Sequence, residues 1–306
     1  MRLSTDEDRD EERAVETIRA AVEAGITVFD TARAYGHGEH DLGHNERLLA
    51  RALRRSGAEA RARVVTKGGM TRIGGGWVPD GRAKAIRSDC EASLAALDGI
   101  PIELYLIHAP DPRTPWRTSL RALSRLVDDG LVRHIGLSNV NRGQLDEALE
   151  LAPVTAVQVA LNPFDDHALR GGVVDRCVDV GTTVIAHSPL GGPRRAGRLS
   201  RNGAATDVAA AHGATPAEVA LAWVLGLAPD VVAIPGARRP ETARSAARAA
   251  RLELGQEERA TLARAFFGER PTTQRRRRAD DAEVVLVMGI PGAGKTRLAE
   301  EYVARG

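Results

Sequence analysis

Through roughly the first 250 residues, short β-branched apolar runs alternate with longer segments whose Ala, Leu and Arg positions repeat at helical spacing. This is the pattern of repeated βα units around a parallel sheet. It predicts strands at 26–30, 63–67, 103–108, 134–138, 155–161, 182–187 and 231–235. Helices are predicted near 9–24, 42–56, 81–97, 117–129, 141–151, 168–180 and 215–227. Asn141, the Thr215-Pro216-Ala217-Glu218 run and Pro240-Glu241 supply helix-start signals. Two architectures suit seven strands with helical crossovers: an open doubly wound sheet, or a (β/α)8 TIM barrel that lacks most of its first strand. A doubly wound nucleotide fold carries a glycine-rich turn after its first strand. None of the first six strands has one, whereas ionisable residues recur at strand ends, as on the active face of a barrel. The barrel is the better reading.

Composition narrows the function classes. The chain has 306 residues, 43% hydrophobic and 27% charged, enough to bury a large core. No apolar run of about 18 residues appears, so no membrane helix is expected. The acidic amino end, MRLSTDEDRDEER, has none of the features of a signal peptide, and a cytoplasmic location is expected. Cys90 and Cys177 stand far apart, which argues against a disulfide scaffold or a cysteine metal site. A net charge of +2 makes no case for nucleic acid. Only Lys67, Lys84 and Lys295 interrupt an otherwise all-arginine set of cations, so each lysine carries information.

The strand ends hold a chemically coherent set. Asp30 closes the first predicted strand, with Tyr35 five residues on; Lys67 and His108 close the next two. In a barrel these ends open onto one face. A phenol is a poor acid near neutrality, and a nearby ammonium lowers its pKa. A carboxylate keeps that ammonium charged and aimed, and an imidazole orients a carbonyl oxygen or relays a proton. The kit suits carbonyl reduction by a hydride carrier.

The stretches FDTARAYG, VVTKGG, LYLIHAPD, HIGLSN, SPLGG and AIPGA occur in the order and at roughly the spacing of the aldo-keto reductase signatures, and residues 1–267 resemble that superfamily. The resemblance implies a (β/α)8 barrel that binds NADPH, with NADH also admissible, without a Rossmann fold. It implies Tyr35 as general acid, Lys67 as its pKa modulator, Asp30 as the partner of Lys67 and His108 as the carbonyl-orienting group. Ser138, Asn139 and Gln158 would hold the nicotinamide carboxamide. Ser188, Pro189, Leu190 and Gly191 would run along the pyrophosphate, and Gly236, Arg238 and Arg239 would meet the 2′-phosphate. The substrate is then a small-molecule aldehyde or ketone, in a pocket lined by Met70, Trp77 and Trp116. The glycines 74–76 would give the loop between Met70 and Trp77 the freedom of a lid.

The chain departs from the family pattern in four places. MRLST looks like the tail of the family's first strand, so the natural start is expected upstream of Met1. His187 stands where an aromatic residue usually stacks on the nicotinamide. Ser245-Ala246 replace a Glu-Asn pair near the adenine. A polar linker at 268–282 replaces the carboxyl-terminal substrate loop. Beyond it, 283–306 contain a P-loop pattern, with Gly289, Gly292, Gly294, Lys295 and Thr296 between a strand and a helix signal. It reads as the truncated opening of a P-loop NTPase or kinase domain, which would bind ATP and Mg²⁺ only when complete. An alternative function follows: an NADP(H)-sensing module coupled to a fused P-loop domain.

Overall fold

The computed structural model describes residues 2–6, 8–192 and 194–268. Its strands are β1 (Val28–Asp30), β2 (Arg63–Gly68), β3 (Met70–Ile73), β4 (Gly76–Pro79), β5 (Ile102–Ile107), β6 (His134–Ser138), β7 (Val154–Ala160), β8 (Thr183–His187) and β9 (Val231–Ile234). Seven of them form one parallel sheet in the order β1-β2-β5-β6-β7-β8-β9. The order never reverses, so the doubly wound alternative, which needs a switch point, is excluded. The sheet curls into a nearly closed barrel with helices outside.

Strand alternation divides the apolar residues into two cores. Val65, Leu104, Leu106, Ala156, Ile185, Val232 and Ile234 fill the barrel interior. Their neighbours of opposite phase, among them Phe29, Val64, Tyr105, Ile107, Leu137 and Val157, pack outward against the helices. Gly136 lies where the interior leaves no room for a side chain. A Cβ there would fall on the Ala156 carbonyl oxygen and on Leu106. Because a backbone oxygen cannot yield, Gly136→Ala is expected to cost about 1–3 kcal/mol, read as a lower denaturant midpoint.

Several local expectations hold. Asn141 and Thr215 form capping boxes with Gln144 and Glu218, and Pro240 opens the helix Pro240–Ala249. Others are corrected. The amino end is not a strand tail: Arg2–Thr5 form a helical turn with Leu3 in the core. Among the described residues β1 and β9 do not pair, and the helices Glu11–Glu23 and Pro240–Ala249 pack together outside that seam. The glycine stretch, expected as a loop, is the turn of an antiparallel hairpin, β3–β4. Gly74 and Gly75 have φ of 55° and 79°, which suits the two-residue turn that joins twisted strands. Two helices, Gly203–Ala211 and Gln256–Phe267, were not foreseen, since Ala-rich and charged stretches carry weak periodicity. The P-loop residues Gly289, Gly292, Gly294, Lys295 and Thr296, and all but the first residue of the expected linker, lie outside the described residues.

Candidate active site

The phase that fills the barrel interior also selects the site residues. Val28 and Asp30, Val65 and Lys67, Leu106 and His108, Gly136 and Ser138, Ala156 and Gln158, and Ile185 and His187 are spaced by two. Each polar member sits one step beyond an inward apolar or small residue, at the carboxyl end of its strand.

Lys67 is fully buried, with its ammonium donating to Asp30 Oδ1 and, at 2.8 Å, to the Thr31 carbonyl. Gln158 Nε2 donates to the same Asp30 oxygen at 2.7 Å. Burial pushes the Asp30 carboxyl up and the Lys67 ammonium down, and their contact opposes both shifts. Glu46, fully buried on the outer side of β2, accepts from Thr66 Oγ1 at 2.5 Å and adds a second negative charge near Lys67.

Tyr35 follows β1 on a loop whose backbone is tied down by Gly43 N to Arg33 O at 2.7 Å and Asn45 N to Tyr35 O at 3.3 Å. Its buried ring lies 5.1 Å from Lys67 Nζ and meets His108 edge-on at 5.6 Å and Trp77 at 6.0 Å. Trp77 also meets His108 at 5.9 Å, so three rings line one mouth. Burial, with the Asp30 charge adding to it, pushes the Tyr35 phenol well above its usual 10. The expected lowering by Lys67 does not emerge: burial and the Asp30 charge set the direction. His108 Nδ1 is sealed from solvent and has no hydrogen-bond partner among the described residues.

Asn139, at φ 58°, crosses the strand ends. Its Nδ2 donates to the His108 carbonyl at 2.9 Å and to Ser138 Oγ at 3.1 Å, and its Oδ1 lies 3.0 Å from His187 Nε2. Burial, then the Lys67 charge, pushes His187 down to about 4 and His108 well below 6.5. Both rings are neutral in the native state near pH 7, whereas an unfolded histidine protonates near 6.5. As pH falls from about 6.5 towards 4 the unfolded state binds more protons, so stability falls through that window. Urea midpoints should drop between pH 7 and 5, and His187→Gln should shallow the slope; an unchanged slope would contradict the assignment.

The remaining candidates divide. Ser188, at φ 51°, opens a turn closed by Gly191 N to Ser188 O at 2.8 Å, with Pro189 buried and Leu190 against the core. Gly191 has φ 78°, and a Cβ there would strike Phe164 and Arg195. Phe164 and Arg195 thus fill the space a side chain would need, and only glycine fits this turn. Gly236 and Arg239 are exposed after β9, and Arg238 is half-buried. Met70 is buried in the hairpin. Trp116 stands apart from the tetrad, its indole N–H donating to the Gln144 carbonyl at 3.0 Å. The glycine turn after β8 and the cations beyond β9 fit a phosphorylated dinucleotide.

A profile of the aldo/keto reductase family matches residues 1–265. The chain belongs to the aldo/keto reductase family. The probable aldo-keto reductase 1 of Glycine max is 32% identical over 256 residues, covering 74% of this chain and 71% of that protein. A thermostable aldo-keto reductase crystallised with the inhibitor epalrestat superposes with a TM-score of 0.72 at 32% identity, over 86% of this chain and 90% of its own. The aldo/keto reductase of Klebsiella pneumoniae in complex with NADP and acetate gives 0.73 at 26%, over 88% and 90%.

Sequence reasoning about this family member overlooked three contributors. Thr31 offers its carbonyl to Lys67. Arg72 lays its guanidinium 4.2 Å over the Trp77 ring and reaches the His37 carbonyl at 3.4 Å. Glu39 accepts from Gly74 N at 2.8 Å, which tethers the hairpin to the Tyr35 loop. Backbone acceptors leave no trace in residue type, and one arginine among 40 does not stand out.

Proposed function

We propose that this aldo/keto reductase uses NADPH to reduce an aldehyde or ketone to the alcohol, with Tyr35 as proton donor. The observation that carries this reading is the convergence of Tyr35, Lys67, Asp30 and His108 at one barrel mouth. NADPH, bound in the Klebsiella pneumoniae relatives in its NADP or NADPH form, would supply hydride to the carbonyl carbon. Ser138, Asn139 and Gln158 would hold its carboxamide, His187 its ring face, Ser188–Gly191 its pyrophosphate, and Arg238 and Arg239 its 2′-phosphate.

The chain's own residues then govern the proton. A phenol kept protonated by burial carries its proton at working pH and gives it to the carbonyl oxygen as negative charge grows there. The phenolate left behind faces the Lys67 ammonium, which Asp30 and Thr31 hold in place. Neutral His108 orients the carbonyl oxygen by hydrogen bonding. Trp77 and Met70 would form the apolar wall beside the substrate. The decisive experiment is a panel of aldehydes and ketones with NADPH, following nicotinamide absorbance and alcohol formation together. One-to-one loss of NADPH and gain of alcohol is the expected result. Tight NADPH binding with no turnover of any carbonyl would favour the sensing role instead, which the intact proton-transfer set argues against.

A further inference from the structure

Arg238 follows β9 by four residues and faces an acidic partner from the opposite end of the chain. Its guanidinium lies 3.1 Å from Asp6 Oδ2 and 3.4 Å from Asp8 Oδ1. The segment that carries these carboxylates is anchored on both sides. Ser4, fully buried, bonds through Oγ to His44 Nδ1 and to Asn45 Nδ2, each at 2.8 Å. Arg9 donates to the Ser4 carbonyl at 3.1 Å and pairs with Asp41. Asp10 caps the helix Glu11–Glu23, accepting from Arg13 N at 2.9 Å. Asp6 and Asp8 are thereby held across the β1/β9 seam, on the cation that the cofactor reading gives to the 2′-phosphate.

We propose that Asp6 and Asp8 act as a carboxylate latch on Arg238 that sets the preference between 2′-phosphorylated and plain nicotinamide dinucleotides. The inference rests on the cofactor reading above. A 2′-phosphate must displace both carboxylates from Arg238 or bind against their charge, whereas a dinucleotide ending in a free 2′-hydroxyl meets no such opposition. The latch therefore lowers NADPH affinity selectively. The side chain of Asp8 is 82% exposed and that of Asp6 14%, so the first releases readily and the second holds.

Calorimetric titration of the full chain with NADPH and with NADH, no carbonyl present, tests this. Asp6→Asn/Asp8→Asn should bind NADPH roughly three- to tenfold more tightly, the range of two partly exposed ion pairs, and NADH unchanged. Asp8→Asn alone, at an exposed position that does not threaten folding, should show part of the gain. In an Arg238→Ala background NADPH should bind more weakly and the Asp substitutions should lose their effect. Unaltered NADPH affinity, or an equal change for both dinucleotides, overturns the latch while leaving the cofactor reading intact. NADPH binding that is indifferent to Arg238→Ala removes the 2′-phosphate subsite and the latch with it. Failure of both dinucleotides to bind the parent chain would remove the function on which subsite and latch stand.

Discussion

Tyr35→Phe should reduce carbonyls roughly 10²- to 10⁴-fold more slowly than the parent, the range attributed to a positioned general acid, while binding NADPH as well. The substitution removes one oxygen and keeps the ring, so the edge-on contacts to Trp77 and His108 and the cation over its face survive. Folding should be little affected, and the loss should fall on kcat and kcat/KM alike, as for an interaction made only in the transition state. The direction of the Tyr35 shift gives a further check. A phenol lifted above 10 stays protonated up to alkaline pH, so the parent's carbonyl reduction should lack a basic limb below about pH 10. A Phe variant within threefold of the parent would assign the proton to another donor.

Lys67→Met should unfold far more easily than the parent, by about 3–5 kcal/mol, because it strands the Asp30 carboxylate in a sealed site. Gln158 would remain as a side-chain donor to it. The native Asp30 pKa, already raised by burial, would rise further without its cation. A carboxyl whose native pKa exceeds its unfolded value binds its proton first in the folded state, so the deficit should shrink as pH falls through that native value. Lys67→Met/Asp30→Asn removes the stranded charge and should recover much of the stability but no turnover. Urea titrations at pH 7 and 5 read the first effect, and the carbonyl assay reads the second. A single variant as stable as the parent would show that the pair contributes nothing to folding.

The strand ends were legible because one alternation serves two purposes. The period-two phase that buries Val65, Leu106, Ala156 and Ile185 also aims Lys67, His108, Gln158 and His187 into the mouth. Reading the apolar run therefore located the polar residue that ends it. Tyr35 was marked by the motif around it, since a loop residue has no phase. Less legible were contributions that depend on the path of a loop. The glycines before Trp77 read as freedom. In the fold they instead permit a tight turn, and Glu39 and Arg72 fasten the hairpin to the Tyr35 loop from 35 residues away.

Residue order alone thus determined a parallel barrel, the strand ends that form its candidate active face, and the carboxylate, phenol, ammonium and imidazole brought there. It did so because alternation and capping are local and repeat along the chain. Tertiary structure alone decided that burial and Asp30 together raise the phenol, that Trp77 meets the Tyr35 and His108 rings edge-on, and that Asp6 and Asp8 hold Arg238 across the seam. Those outcomes depend on charge, desolvation and ring contact between segments as much as 230 residues apart, and no local pattern records such distances.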